Sequence, residues 1–496
     1  MINFLKRFWD EHPLLSIIII ALIPRLIAAF LSKGYGMHDD HFGPIEQPFI
    51  IMHDITYWTG RVNNDPHGHS IVYPLLHFGL FNALQSLGMR DPQDKMLIVR
   101  LLHALYSLLV VLFGYKIAEH FSSKDIAKKT GIVLALFWAF PYLSVRNLIE
   151  MVCIPPLMAG TYYILKSSER RSYVWFSGIC FGLAFVFRYQ TLFVTATVAM
   201  LLLYQKQWKS FLYFSLACFF TMLLVQGSAD IFAWGYPFAG FLSYVGYNAT
   251  HSLDYTTGPW YNYLLLVAGA LVPPTSFVLL YGFFRNWKKT LMVFLPVVVF
   301  FVFHSYFPNK QERFIFSVIP LILTLSVVGW LEVTQTSPFW LKHRKLVHGL
   351  WIWFWIINFV LLVPFTTYYA KKSRVESLYY LYEKPITSLL LIGGNLGVIQ
   401  PPMFYADQFP IDQYQINNDG DLQQVQLQLK QARVQPNYAL MFGTEDFEQR
   451  KLKVETALQR KLILEKTVEP SFLDYVLFRL NPRGNKNQTS FVFRIQ

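Results

Sequence analysis

Eleven apolar runs of 14 to 23 residues recur along this 496-residue chain, at about 14–31, 97–115, 131–144, 150–166, 174–187, 191–204, 210–226, 262–284, 290–306, 314–332 and 347–368. Hydrocarbon offers the backbone no water to bond with, so segments of this kind cross it as helices whose hydrogen bonds close internally. A perpendicular crossing needs roughly 20 residues, and several runs are shorter, so the count of about eleven is approximate. Composition agrees: 15% of residues are charged, against roughly 25% in an ordinary soluble domain. Aromatics reach 18%, which suits rings packed in hydrocarbon with Tyr and Trp at the two interfaces. The expected fold is a polytopic α-helical membrane protein.

The net charge of +13 is concentrated in short basic clusters between the runs. That is the pattern of cytoplasmic loops, and it excludes nucleic acid as the reason for the basic balance. With the N-terminus cytoplasmic, every second loop is basic: Lys116 with Lys124, Lys128 and Lys129; Lys166 with Arg170 and Arg171; Lys206 with Lys209; Arg285 with Lys288 and Lys289; Lys342 with Arg344 and Lys345. Lys6 and Arg7 precede the run Leu14 to Leu31, whose 18 residues have no small-residue cleavage site after them, so it reads as a retained first span. Cys153, Cys180 and Cys218 all lie in apolar stretches without disulfide or zinc spacing.

The alternate loops gather irregular, polar and aromatic sequence: residues 32–96, the turns near Arg146 to Glu150 and at Arg188, residues 227–261, and Phe307 to Arg313. A membrane protein keeps its site where such backbone collects, which places it on the non-cytoplasmic face. Residues 1–368 are thus read as a membrane domain with its first outer loop at 32–96, 369–399 as a connector, and 400–496 as a small soluble α/β domain on that outer face. In the last of these, Asp421 to Arg433 and Asp446 to Leu458 read as helices. Tyr438 to Phe442, Lys461 to Lys466 and Tyr475 to Leu480 read as strands. No phosphate-binding or dinucleotide glycine motif occurs there.

The densest chemistry is in the first outer loop, where His38, Asp39, Asp40, His41 and Glu46 fall within nine residues. Such a cluster can deprotonate a hydroxyl or bind a divalent cation, and equally can be a solvated acidic loop. His53, Asp54, Asp65, His67 and His69 extend it, without any helical metal motif. Neighbouring Asp39 and Asp40 point about 100° apart on a helix and to opposite faces of a strand. One carboxylate is therefore expected to act as base while the other orients partners or holds the loop. The complementary charge is Lys310 and Arg313, three residues apart and able to clamp a phosphate from one helical face, although interfacial snorkelling accounts for a lone cation there as well. Arg188 and Arg25 sit in or at the ends of apolar runs, where cations face a polar cavity or a partner, although Arg25 can equally snorkel to the outer interface about 9 Å away.

In order along residues 37–320, five fragments resemble the lipid-phosphate-mannose-dependent mannosyltransferases of glycosyltransferase family 22. The pattern His-Pro-Asp-Glu-x-Phe-Gln-x-x-Glu is matched at Asp39, Phe42 and Glu46, with Asp40 for the Glu. Ser70 with Tyr73-Pro74 echoes a second pattern, and Asn147 with Glu150 matches Asn-x-x-Glu. Tyr247-Asn248, Tyr255 and Pro259-Trp260-Tyr261-Asn262-Tyr263 are similar to a fourth. Lys310-Gln311-Glu312-Arg313-Phe314 with Pro320 is similar to the fifth. The chain departs at Met37-His38, Gly43, His69 and Asn309, as a distant, bacterial-type member would.

The resemblance implies the GT-C architecture and inverting transfer of mannose from a polyprenyl- or dolichyl-phosphate carrier to a glycan or glycolipid, in a bacterial inner membrane or the endoplasmic reticulum. It implies Asp39 and Asp40 as catalytic residues with Asp39 the base, and Lys310, Arg313 and Arg188 on the donor phosphate. His38, His41, Glu46, Asn147, Glu150, Tyr255, Trp260 and Tyr263 are the substrate-binding candidates. No cofactor is required, since cationic side chains can stabilise a monophosphate leaving group; a divalent cation is optional and no metal ligand is assigned. A flippase or transporter for lipid-linked sugars would instead bring two similar halves and mid-membrane charges. An O-antigen ligase or polymerase, or a receptor with an outer domain, also fits the composition.

Overall fold

The computed structural model describes residues 2–55, 66, 69–482 and 484–496, which form two compact units. The first comprises residues 1–29, 59–76 and 100–366, the second residues 30–58, 77–99 and 367–496. This partition differs from the expected one, because most of the first outer loop belongs to the same unit as the C-terminal residues.

All eleven apolar runs are helical, but they are not equivalent. Pro13–Leu31, Pro92–Phe121, Trp208–Trp234, Glu312–Thr336 and Arg344–Thr366 are long and apolar enough to cross a membrane. Asn262–Ala270 and Thr275–Arg285 would make a sixth span, bent by 113°. The break falls at Pro273-Pro274, where two missing N–H donors stop the hydrogen-bond ladder. Ile149–Leu165, Arg171–Phe187, Tyr189–Tyr204 and Leu291–Tyr306 are shorter, and the run at 131–144 is divided between Lys124–Leu136 and Ala139–Ser144. By length and composition, five or six helices among the described residues qualify as spans.

Ile319–Thr336 is the central post of the first unit, most of its residues buried. It packs backbone to backbone on Thr275–Arg285: a Cβ on Gly329 would lie 2.0 Å from the carbonyl oxygen of Gly282. Helices in lipid gain little from expelling water and associate by close packing instead, which small residues permit. Arg344–Thr366 is at the other extreme, with few buried residues.

The second unit is built on a five-stranded sheet of β1 (Ser388–Ile392), β2 (Asp412–Ile416), β3 (Tyr438–Phe442), β4 (Leu462–Val468) and β5 (Ser490–Ile495), in the order β2-β1-β3-β5-β4. β1 is parallel to β2 and β3, while β5 is antiparallel to β3 and β4. Side chains alternate faces, as the strand period requires. Leu389, Leu391, Leu440 and Val492 share one core with Ile45, Phe49, Phe81 and Leu84 from the first outer loop. Leu390, Ile392, Ala439 and Phe493 face the helices Asp419–Gln431 and Phe447–Leu458.

Two expectations need correction. The sheet begins at Ser388, inside the stretch read as a connector. Residues 475–480 are not a strand but belong to the helix Phe472–Leu480, started by a capping box in which Ser471 and Asp474 exchange side-chain-to-backbone bonds.

Candidate active site

In the second unit, the first outer loop is tied to the segment that follows helix Arg344–Thr366. The Ser32 hydroxyl donates to the Tyr368 carbonyl (2.8 Å), Ala370 N–H to Lys33 (3.1 Å) and Lys371 Nζ to Gly36 (2.5 Å). Gly34 has φ +74, and a Cβ there would lie 1.9 Å from the Ala370 carbonyl oxygen, so only glycine fits this approach.

On this scaffold the two aspartates part. Asp40 is buried and accepts from the N–H groups of Gly36 (2.8 Å) and Met37 (3.2 Å), closing the turn on itself. Asp39 is exposed. His38 stacks on Phe42 with ring centroids 4.2 Å apart. Desolvation holds its imidazole below the ordinary range, against the opposing pull of Asp39.

His41 and Glu46, implied as substrate contacts, point inward instead. The His41 ring is fully buried between Tyr35 (4.7 Å) and Tyr405 (5.4 Å), with Nε2 3.0 Å from Glu46 Oε1. That same carboxylate oxygen accepts from Phe404 N–H at 3.0 Å. Both side chains are committed to joining the loop to the sheet. Asp65 and His67 lie outside the described residues.

In the first unit, cationic and acidic side chains converge near the start of helix Ile149–Val152. Glu150 and Arg188 are both buried and form an ion pair through Glu150 Oε1 and Arg188 Nη1. Arg188 Nη2 also donates to the Phe314 carbonyl at 3.2 Å. Arg313 Nε is 3.7 Å from the same Glu150 oxygen and donates to Gln311 Oε1 at 2.9 Å. Both guanidiniums lie over the Phe314 ring, at 5.5 and 5.7 Å. Glu150 Oε2 and Asn147 Oδ1 are buried and without a hydrogen-bond partner among the described residues, so this cluster holds acceptors that its own neighbours leave unused.

Lys310 is not poised like Arg313. Its ammonium donates to the carbonyls of His304 (2.9 Å), Ser305 (2.8 Å) and Phe307, capping the C-terminus of helix Leu291–Tyr306. Lys310 and Arg313 therefore do not form the joint phosphate clamp that their spacing suggested. Tyr263 is buried beneath that ammonium (5.4 Å) and bonds the Gln311 carbonyl at 3.0 Å, so its ring is turned away from the substrate-binding role implied for it. Trp260 and Tyr255 are exposed; Trp260 lies parallel to Tyr306, and the Tyr255 hydroxyl is 2.5 Å from that of Tyr247.

Three side chains escaped the sequence reading. Asp474 is fully buried and accepts from Tyr368 Oη (2.6 Å), Lys371 N–H (3.0 Å) and Lys372 N–H (3.1 Å), fixing the segment that holds the first loop. Asp230 is also buried, accepting from Gln226 Nε2 (2.8 Å), while Gln226 accepts from Ser70 Oγ (2.7 Å). An acid inside the apolar helix Trp208–Trp234 was the available signal for Asp230 and Gln226. The Ser-x-x-Asp cap at Ser471 was the signal for Asp474.

Comparison with known proteins was made on both sequence and fold. Human alpha-1,2-mannosyltransferase ALG9 is 25% identical over 66% of this chain and 56% of its own length. Bovine GPI alpha-1,2-mannosyltransferase 3 is 23% identical over 63% of this chain and 58% of its own. The GPI mannosyltransferase 3 of Yarrowia lipolytica is 23% identical over 75% and 72% respectively. Against the mouse and human ALG9 and bovine relatives, the chain spans between 27% and 58% of their length. ArnT from Cupriavidus metallidurans, solved with undecaprenyl phosphate, superposes with a TM-score of 0.62 at 13% identity, over 96% of this chain and 97% of that one. The Archaeoglobus fulgidus oligosaccharyltransferase gives 0.54 at 11% identity, over 89% and 70%. These likenesses establish the GT-C fold. The family model described as Alg9-like mannosyltransferase matches residues 16–384, from the first helix to the edge of the sheet domain, and the chain belongs to that family.

Proposed function

We propose that this chain transfers mannose from a polyprenyl-phosphate carrier to a hydroxyl of a glycan or glycolipid, with inversion, at the non-cytoplasmic face of the membrane. The observation that carries the reading is the division between the two aspartates: Asp40 spends both oxygens holding the turn, and Asp39 is exposed on it. Asp39 takes the proton of the acceptor hydroxyl as its oxygen attacks the anomeric carbon. The bond from that carbon to the phosphate oxygen breaks, and its electron pair leaves with the lipid monophosphate. Arg188 and Arg313 stabilise the charge that grows there, with Arg188 held in place by Glu150. Cationic side chains suffice for a monophosphate leaving group, so no cofactor is invoked. Family membership favours transfer over flipping or ligation.

The test uses the full chain in detergent, polyprenyl-phosphate carrying tritiated mannose, and a membrane glycolipid extract as acceptor. Loss of a general base costs about 10²- to 10⁴-fold in rate, and Asp39→Asn is expected to show it with thermal stability unchanged. Wild-type turnover in Asp39→Asn would remove Asp39 as base.

A further inference from the structure

A cavity of the first unit lies away from the Arg188 and Arg313 cluster. It has a volume of about 830 Å³, within the range of small-molecule sites. Its wall includes Leu331, Thr334 and Gln335 at the far end of helix Ile319–Thr336. Ser317, just before that helix, contacts the Glu150 backbone, so the cavity opens about 25 Å further along at 1.5 Å per residue.

Three of the helices lining it change character along their length. Along Arg344–Thr366, Arg344, His348, Trp351 and Trp355 recur at spacings of four, three and four, which puts them on one face with the charge at the start and the indoles beyond it. Along Lys124–Leu136, Lys128 and Lys129 precede Ile132 and Val133. Ile319–Thr336 enters from the apolar side, with Leu331 before Thr334 and Gln335. The cavity thus has a cationic mouth and an apolar, aromatic interior.

The charges at the mouth are not all spoken for. Lys129 donates to Asp125 at 2.8 Å, while Lys128 Nζ lies 5.8 Å over the Trp9 ring, and Arg344 is exposed. With Asp10 the remaining acid, the lining carries three basic side chains against two carboxylates, apart from His348.

We propose that this cavity binds an anionic glycerophospholipid of the surrounding bilayer. Its phosphate sits between Lys128 and Arg344, and its acyl chains lie along Trp351 and Trp355. An ammonium and a guanidinium suit a phosphate monoanion, and indoles are favoured at the depth where headgroup meets chain. A zwitterionic lipid would bring its own cation to the cationic mouth and gain less. Arg344–Thr366, the least buried of the long helices, gives the chains a route in from the bilayer.

The test places the full chain in nanodiscs of equal parts phosphatidylcholine and phosphatidylglycerol, then weighs the lipids retained by native mass spectrometry. Wild type is expected to keep phosphatidylglycerol in preference to phosphatidylcholine. Each basic residue near an anionic lipid contributes about 1 kcal/mol, so Lys128→Glu with Arg344→Glu should lower retention by tenfold or more. Arg170→Glu with Arg171→Glu, on another basic loop, should leave it unchanged. Thr334→Trp, which partly fills the cavity without altering charge, should also lower lipid retention while remaining monodisperse. Equal retention of the two lipids by wild type would overturn the proposal, as would full retention by the charge-reversed or filled variant. So would displacement of phosphatidylglycerol by an equal concentration of undecaprenyl phosphate, which would identify the carrier as the occupant.

Discussion

Adjacent residues of one chemical type take opposite jobs here, because backbone direction decides which of them meets its own loop. Asp39 and Asp40 differ in that respect, and so do Arg313 and Lys310. Lys310 caps three carbonyls, and hydrogen bonds from a charged group contribute about 1.5–3 kcal/mol each. Lys310→Ala is therefore expected to lower the melting temperature while leaving the KM for the polyprenyl-phosphate donor near wild type. Arg313→Ala should raise that KM about tenfold, as loss of one phosphate contact would, with a smaller stability change. Donor titrations alongside thermal melts separate the two, and a shared KM effect would return Lys310 to the phosphate. That Asp39 and Asp40 would point apart was legible from neighbour geometry. The inward turn of His41 and Glu46 was not, because it depends on Phe404 and Tyr405, more than 350 residues further along.

Elements were legible where local pattern and tertiary context agree. Tyr438–Phe442 is a strand with the bounds expected of it, buried on both faces in the middle of the sheet. Tyr475 to Leu480 is equally apolar and was expected to be a strand, yet it is a helix. Short apolar runs do not distinguish the two states, and here the cap at Ser471 decides. The eleven apolar runs located the helices but not their lengths, which breaks such as Pro273-Pro274 set. The cap at Ser471 also carries a consequence for the site. Asp474 belongs to it and at the same time accepts from Tyr368, Lys371 and Lys372. Removing a buried carboxylate so engaged leaves its buried donors unpaired, at a cost of about 1–3 kcal/mol for each. Asp474→Ala is expected to lower stability accordingly and slow mannose transfer through the loosened loop, whereas Asp474→Asn, which can keep part of the bonding, should fall between. Denaturant melts and transfer rates on the same preparations check this; unaltered stability in Asp474→Ala would mean that the segment at 368–372 is held by other contacts.

At the scale of the whole chain, the second unit is assembled from stretches that the membrane helices separate in sequence. Ile45, Phe49, Phe81 and Leu84 come from the first outer loop, and the sheet that completes their core comes after residue 366. A chain ending at Thr366 keeps every candidate span but leaves those four side chains without their partners. Each large apolar side chain contributes about 1.5–3 kcal/mol on burial, so roughly 6–12 kcal/mol is forfeited, comparable to the net stability of a domain at about 5–15 kcal/mol. The same truncation removes Tyr368, Ala370 and Lys371, which hold Ser32 to Gly36, and with them the footing of Asp39. A residue 1–366 fragment is therefore expected to insert in membranes yet migrate as aggregate in detergent and transfer no mannose. Gel filtration of fluorescent-protein fusions of the two lengths makes the comparison. A monodisperse, active 1–366 fragment would mean that the first outer loop folds without the sheet, and that the C-terminal residues serve some purpose other than supporting Asp39.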